Sequence, residues 1–209
     1  MAPLSEETLI AAGCAARLEP GMTLLEFDCG TGAASIFLAE EFHLYARGFD
    51  NRTELLERAR ESAERSPAHT RVRFFHSDAD GSGLSGAGVE VICSLSGSHD
   101  HADGLLVARP RALLGSYRYE ESRIPAEVSD TFPFRPAPVD GRRIWKHAAT
   151  PLEWERHLRP LERALRAYRA RLRAGEAVSE VALVADRRIE AFRAHGAALT
   201  YELSVYEKK

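Results

Sequence analysis

The sequence predicts an α/β fold with a mostly parallel sheet and helices on both faces. Apolar runs of strand length alternate with segments of helical periodicity over residues 5–93, and this alternation is typical of parallel sheets. The unusual polar clusters of this half each follow a strand. They therefore fall at the carboxyl edge of the sheet, where such folds bind their ligands.

The elements of the first half follow in a clear order. Ser5 is the expected N-cap of a helix over residues 5–18, and Pro20-Gly21 makes the turn into a strand at residues 22–27. The remaining predicted strands cover residues 44–49, 71–76 and 89–93. Between them we expect a helix after the segment DCGTG and another over residues 53–65, capped by Thr53 or Asn51.

The second half is less regular. We expect strands at residues 111–117 and 142–149, a long Arg-rich helix over 152–173 that Pro160 kinks or splits, and a helix over 177–194. The last residues, 198–209, alternate in the manner of a strand. Because the Pro-rich stretch around residues 120–142 reads as a lid or insertion, we predict one domain spanning residues 1–209.

Composition excludes several classes of protein. The 209 residues carry a net charge of −3, which gives no reason to expect nucleic acid or an anionic membrane as partner. No signal peptide or membrane span is visible in the sequence. The three cysteines share no CxxC spacing, which favours reduced thiols in the cytoplasm over disulfides or zinc.

The loop after the first predicted strand has the features of a nucleotide-type binding site. Gly30 and Gly32 let backbone amides approach a ligand, and the helix that they open favours a carboxylate at its N-terminus. Asp50 follows one helix and one strand later, where its carboxylate can accept the hydroxyl protons of a ribose. We predict a ligand site formed by this loop and the acids at the strand ends.

The segment LLEFDCGTG, residues 24–32, resembles the first motif of class I S-adenosylmethionine-dependent methyltransferases. The resemblance continues with Asp50 as the ribose acid, Asp78 in HSDAD as the adenine acid, and VICSLSGSH, residues 91–99, as strand four of a small-molecule branch. It implies a Rossmann-like class I methyltransferase fold with an antiparallel C-terminal strand, S-adenosylmethionine as cofactor, and methyl transfer to a small-molecule acceptor. The cofactor residues that it implies are Glu26, Asp28, Cys29, Gly30, Thr31, Gly32, Asp50, Asn51, Asp78, Ala79 and Ser94.

One position departs from the family pattern. Asp28 stands where the family usually has its first glycine. Asp tolerates left-handed backbone better than most residues, so the turn can survive. Its carboxylate could repel the carboxylate of the cofactor or attract its ammonium or sulfonium group.

The acceptor side is predicted from the loop after the fourth strand. His99 and His101 border the position expected for the transferable methyl group, and a neutral histidine there could take a proton from an acceptor hydroxyl or amine. Aromatic side chains in the second half could build the acceptor pocket, with Tyr117 as a further catalytic candidate, although core packing is the more common role for each taken singly. These aromatic residues are Tyr117, Tyr119, Trp145 and Trp154.

Other interpretations stay open. A nicotinamide dehydrogenase would need a glycine or alanine where this loop has Ser35, and it would give Asp78 no task. The run His99–Asp103 resembles the first metal motif of the metallo-β-lactamase fold, but Gly104 replaces the next histidine, so we expect no metal. The same run could also be a solvated loop.

A non-catalytic function is the main alternative. Residues 142–173 hold ten Lys and Arg against three acids, which is typical of a solvated helix surface and is also compatible with an RNA-binding face. The second hypothesis is therefore a degenerate methyltransferase fold that serves as a binding or regulatory module, possible partners including RNA. The identity of the acceptor and the oligomeric state cannot be read from the sequence.

Overall fold

The computed structural model describes residues 2–76, 88–96, 111–119, 125, 128, 131–132, 141–173 and 176–208. Its strands are β1 (Thr23–Phe27), β2 (Tyr45–Asp50), β3 (Val72–His76), β4 (Val91–Ser94), β5 (Arg111–Tyr119), β6 (Gly141–Ala148) and β7 (Leu199–Lys208). The helices are α1 (Glu6–Ala15), α2 (Ala33–Glu41), α3 (Thr53–Glu64), α4 (Pro151–Arg171) and α5 (Glu180–His195). Most of the predicted elements are therefore present, with bounds shifted by a few residues.

All seven strands join one sheet in the order β3-β2-β1-β4-β5-β7-β6. β1 to β5 pair in parallel, while β7 runs antiparallel to both β5 and β6. The chain order reverses beside β1, so the carboxyl ends of β1 and β4 flank the crevice in which folds of this type bind ligands. The predicted fold class, including its antiparallel last strand, is confirmed.

Two apolar clusters lie on opposite faces of the sheet. The larger cluster joins alternate strand residues such as Leu24 and Leu113 to the buried faces of all five helices. The smaller cluster contains Leu25, Phe27, Phe49 and other strand residues, together with Val89, and no described helix contributes to it. The expectation of helices on that second face falls outside the described ranges.

The helix ends show where local sequence rules succeed and fail. The Ser5 hydroxyl accepts a hydrogen bond from the Thr8 amide, as predicted for the N-cap of α1. The predicted cap of α3 is wrong, because the N-cap position is Arg52 and no side chain caps the helix. The long helix is not split at Pro160, since α4 continues through it, while the alternative of a kink stays a prediction. Tertiary packing of Trp154, Leu158 and Leu165 outweighs the local cost of the proline.

α4 and α5 form a hairpin between β6 and β7. Arg193 of α5 pairs with Glu155 and Glu162 of α4, and Arg169 of α4 pairs with Asp186 of α5. In the Arg-rich segment, Arg159 and Arg169 thus pair with acids within the hairpin. Among the described residues, no helix is long and apolar enough to span a membrane.

Candidate functional site

The loop between β1 and α2 has three residues with left-handed backbone. The φ angles are 52° at Asp28, 58° at Gly30 and 72° at Gly32. Asp28 thus adopts the conformation expected of the glycine that it replaces. A Cβ on Gly30 would meet nothing within 4 Å, so open space lies over this part of the loop.

The ring of Phe74 on β3 packs against the same loop. A Cβ on Gly32 would lie 2.2 Å from the Phe74 ring, and a Cβ on Gly48 would lie 2.5 Å from it. The two glycines therefore let the buried ring of Phe74 fill the space between β2 and the start of α2. Packing, in addition to ligand approach, requires glycine at position 32.

Asp50 ends β2 beside this loop, as predicted. Its carboxylate is fully buried and accepts a hydrogen bond of 2.7 Å from the Gly30 amide. The Arg52 amide donates to Oδ1 at 2.9 Å, and the Arg52 side chain donates to Oδ1 at 2.8 Å and to Oδ2 at 2.7 Å. Burial opposes ionisation of Asp50, but the hydrogen bonds and charge of Arg52 outweigh it and lower the pKa of Asp50.

Arg52 is the residue that sequence reasoning missed at this edge. Both oxygens of Asp50 are occupied by hydrogen bonds to Arg52 and Gly30, which together use about the four acceptor positions that a carboxylate offers. A ribose that used the same oxygens would have to displace the Arg52 side chain, which is 49% exposed. An Arg two residues after a strand-end acid is the only sequence signal of this pairing.

Glu26 lies inside the protein next to the loop. Its Oε2 accepts hydrogen bonds from the Ser35 amide at 3.0 Å and the Ser35 hydroxyl at 2.5 Å, which tie β1 to α2. Burial raises the pKa of Glu26 to about 7 against the opposing hydrogen bonds from Ser35. Glu26, 3% exposed, thus contacts the interior of the protein and supports the glycine loop through α2.

The remaining expected cofactor residues differ in their environment. Cys29 is buried, its amide donates to the Phe49 carbonyl at 3.0 Å, and burial raises the pKa of its thiol. Thr31 is half-buried and Asn51 is exposed. Ser94 is buried at the last position of β4, opposite Phe27 of β1. Asp78 and Ala79 lie outside the described residues.

Asp28 and Ser96 connect the two loops that flank the crevice. The Ser96 hydroxyl donates to Asp28 Oδ2 at 3.1 Å, across the gap between the ends of β1 and β4. Asp28 is only partly buried, so its carboxylate also borders the crevice. This contact places one negative charge at the point where the two loops meet.

Tyr117, which the sequence predicts for the acceptor side, belongs to a buried aromatic cluster. Its ring lies 4.8 Å from that of Phe132, 5.2 Å from that of Tyr201 and 6.4 Å from that of Trp154. Burial raises the pKa of Tyr117, so its phenol is neutral near pH 7. Trp145 stacks on His147 instead, and Tyr119 is only partly buried. His99 and His101 lie outside the described residues.

Tyr201 of β7 holds this cluster against the end of β4. Its hydroxyl donates to the Leu95 carbonyl at 2.8 Å, one residue beyond β4. A Cβ on Gly115 would lie 1.6 Å from the Tyr201 oxygen, so glycine is required where the ring crosses β5. The aromatic cluster is thereby fixed at the carboxyl edge of the sheet.

Two further residues near this cluster were not singled out from the sequence. His157 of α4 packs edge-on to Trp154, and burial together with nearby positive charge lowers its pKa to about 4, so the imidazole is neutral near pH 7. Arg188 of α5 contributes to that shift. Their Arg-rich surroundings in the sequence gave no signal that these two side chains differ from the solvated ones.

Glu153 joins the helical hairpin to the rest of the fold. Its carboxylate accepts hydrogen bonds from the Thr8 hydroxyl at 2.7 Å, from His147 Nε2 at 2.8 Å and from the Thr150 amide at 2.8 Å. Burial alone would raise the pKa of Glu153, but these hydrogen bonds lower it to about 2. In the described part of the chain, no group of three or more His, Cys, Asp or Glu side chains could hold a metal ion.

Comparisons with known proteins agree with the fold described above. Residues 24–111 match a family model described as a methyltransferase domain. A SAM-dependent methyltransferase from Thiobacillus denitrificans, crystallised with S-adenosyl-L-homocysteine, is similar with 19% identity and a TM-score of 0.72 over 99% of this chain and 93% of its own. One from Geobacter sulfurreducens, with the same ligand, has 17% identity and a TM-score of 0.69 over 100% and 93% of the two chains.

The same fold also occurs in a protein with a different activity. The cyclase SpnF is similar with 13% identity and a TM-score of 0.68 over 97% of this chain and 81% of its own. At these identities the structural similarity establishes the fold alone. No curated protein matches the chain in sequence.

Proposed function

We propose that this chain is an enzyme that methylates a small molecule. Its resemblance to class I S-adenosylmethionine-dependent methyltransferases is confirmed by the family match at residues 24–111 and by the fold. The observation that carries this proposal is the hydrogen bond between the Gly30 amide and Asp50. It joins the left-handed glycine loop to the ribose acid at the carboxyl edge of the sheet.

Each part of the loop region has a task in cofactor binding. The open space over Gly30 would hold the amino-acid end of the cofactor, with its carboxylate at the N-terminus of α2 and its ammonium group beside Asp28. Asp50 would accept the ribose hydroxyl protons after Arg52 withdraws. We assign the adenine amino group to Asp78. Glu26 and Ser35 would keep the loop in place without touching the ligand.

The bound cofactor supplies a sulfonium methyl group. An acceptor heteroatom would gain the bond to the methyl carbon that sulfur loses, and the electron pair of the broken carbon–sulfur bond would stay on sulfur. The protein mainly positions the reactants and excludes water. A protonated acceptor must also lose a proton, for which His99 is the first candidate base and His101 the second. The buried, neutral Tyr117 could orient the acceptor but is a poor base.

The proposal includes the setting of the protein. We place it in the cytoplasm, where the buried thiols of Cys29 and Cys93 would stay reduced. We also propose a single domain, which the single sheet of the described residues supports. Residues around 120–142 would serve as a lid over the acceptor.

Titration calorimetry with S-adenosylhomocysteine tests the proposal. Wild-type protein should bind the ligand, and Asp50→Ala should bind it at least tenfold more weakly, because the ribose loses its acceptor. A screen of small amines, thiols and phenols for release of S-adenosylhomocysteine from S-adenosylmethionine then identifies the acceptor. With that acceptor, His99→Ala should lower turnover by roughly 10²–10⁴-fold at unchanged cofactor affinity.

One observation favours the alternative of a non-catalytic binding module. Arg52 occupies the oxygens of Asp50 that a ribose would need. If neither S-adenosylmethionine nor S-adenosylhomocysteine gives a calorimetric signal, the methyltransferase proposal fails and the binding module replaces it.

A further inference from the structure

Two buried donors near the aromatic cluster have no partner among the described residues. They are Nε1 of Trp154, whose side chain is 4% exposed, and Nε of Arg188. Indole and guanidinium nitrogens only donate hydrogen bonds. A buried donor without an acceptor is costly and is rare in folded proteins. Both groups therefore need an oxygen as hydrogen-bond acceptor, and the described part of the chain does not supply one.

Arg188 is the only arginine of α4 and α5 that is partly buried, since the others are exposed. Arg159, Arg169 and Arg193 each form an ion pair with an acid of α4 or α5. For Arg188, the described residues provide neither an ion pair nor a hydrogen bond, although its side chain is partly buried. Since an unpaired guanidinium loses hydration on burial without recovering it, its position favours an anionic ligand.

The two donors lie on the acceptor side of the proposed active site. Leu114 of β5 pairs with Ser94, the last residue of β4, so Tyr117 lies three residues, about 10 Å, beyond the end of β4. Trp154 packs against Tyr117 at the same edge. Burial raises the pKa of Tyr117 and lowers that of His157, and the positive charge of Arg188 opposes the first shift and adds to the second.

The chemistry of the surroundings narrows the ligand. Phe192 stacks on Trp154 at 4.2 Å, four residues and one helical turn after Arg188 on the same face of α5. Tyr117 and Phe132 add further aromatic surface. This combination of two donors, one positive charge and aromatic rings suits a ligand that has an apolar body and ends in a planar oxyanion.

We infer that Arg188 and the indole N–H of Trp154 bind a carboxylate of the methyl acceptor, which makes them specificity-determining residues. The inference rests on the proposed function for the statement that the bound carboxylate belongs to a methyl acceptor. The carboxylate site itself depends only on the two donors. Arg188 would attract and orient the acid, and Trp154 would fix its second oxygen.

Tryptophan fluorescence provides a direct test. The chain has two tryptophans, so a Trp145→Phe protein reports on Trp154 alone. In the presence of S-adenosylhomocysteine, this protein is titrated with acetate, benzoate and phenylacetate, and separately with the neutral amide of each acid. We expect at least one acid to change the emission and to bind at least tenfold more tightly than its amide.

Variants separate the two donors from their surroundings. On the same background, Arg188→Met should weaken binding of that acid at least tenfold, while Arg187→Met, which removes the exposed neighbouring charge, should leave it unchanged. Trp154→Phe keeps a ring on Phe192 but removes the donor, and it should weaken binding measured by calorimetry. Arg188→Met should also unfold at the same temperature as its parent or higher, because no partner of Arg188 is lost.

The outcomes are distinct. Equal binding of acids and amides, or equal weakening by Arg187→Met and Arg188→Met, would overturn the inference. Lower thermal stability of Arg188→Met would also overturn it, since Arg188 would then have a structural partner. If phenyl phosphate binds more tightly than every acid, the carboxylate assignment is wrong.

Failure of the proposed function can be recognised separately. If S-adenosylhomocysteine does not bind but the acid still binds through Arg188, the carboxylate site is supported and the proposal of methyl transfer is rejected. If S-adenosylhomocysteine binds and no acid does, the inference falls and the proposed function is unaffected.

Discussion

Arg52 and Asp50 face each other through two side-chain hydrogen bonds, 2.8 Å from Nε to Oδ1 and 2.7 Å from Nη2 to Oδ2. Asp50 is fully buried, whereas Arg52 is about half exposed and could move away without unpacking the core. The pair therefore keeps the carboxylate ionised and in place, and it also occupies the oxygens assigned to the ribose.

The first prediction concerns this competition. Arg52→Met should bind S-adenosylhomocysteine several-fold more tightly than wild type, because the ribose no longer displaces a guanidinium from Asp50. Calorimetry measures the change, and Arg47→Met serves as control because it removes an exposed charge from β2, the strand that Asp50 ends. Weaker binding by Arg52→Met would mean that Arg52 orients Asp50 for the ligand instead of blocking it.

The second prediction separates the two glycines of the loop. Gly32→Ala should lower the free energy of unfolding by about 2–4 kcal/mol, since it adds left-handed strain to a clash with Phe74. Gly30→Ala has no such clash and should cost only about 1–2 kcal/mol. Its methyl group enters the open space over the loop, so S-adenosylhomocysteine affinity should fall. Denaturant unfolding and calorimetry measure both effects, and equal stability losses would contradict the packing argument.

The third prediction is a pH dependence of stability. Glu153 has an ordinary pKa of 4.5 and a pKa of about 2 in the folded protein. The unfolded chain therefore takes up this proton first, so the stabilisation is complete above about pH 4.5 and is lost as the pH falls toward 2.

Thermal unfolding from pH 6 to pH 2 measures this loss, and Glu153→Gln should reduce its slope below pH 4.5. His157 has an ordinary pKa of 6.5 and a pKa of about 4 in the folded protein. Because the folded form resists protonation, His157 lowers the stability as the pH falls from 6.5 to 4. An unchanged slope below pH 4.5 in Glu153→Gln would show that other acids govern the acid limb.

The fourth prediction tests the charge at the meeting point of the two loops. Asp28→Asn keeps the left-handed preference and an oxygen for Ser96 but removes the negative charge. If Asp28 faces the cofactor ammonium, S-adenosylhomocysteine should bind about tenfold more weakly. Methylthioadenosine, which lacks that ammonium, should bind both proteins equally. Tighter binding of S-adenosylhomocysteine by Asp28→Asn would show that the carboxylate repels the ligand.

The sequence predicted the fold because strand and helix periodicities are local and were regular through residue 93. It also predicted that Asp28 tolerates left-handed backbone and that Asp50 lies beside Gly30, since both follow from spacing within one βαβ unit. The interaction of Arg52 with Asp50 was missed, because a choice of side-chain rotamer, rather than spacing, decides it.

Interactions between distant segments were beyond sequence reasoning. The environment of Trp154 is assembled from β5, α4 and α5, and no local pattern shows that Phe192 stacks on it. The continuity of α4 through Pro160 has the same origin, because packing against the sheet decides it. The positions of Asp78, His99 and His101 stay predictions.

The position of β7 in the sheet has a consequence for synthesis on the ribosome. β6 pairs with β7 and with no other described strand, and β7 follows it in the chain by about fifty residues. Until β7 emerges, the nascent chain presents the unpaired edges of both β5 and β6, and exposed edges invite association between chains. A stop codon before residue 199 should therefore yield an aggregating polypeptide rather than a smaller enzyme.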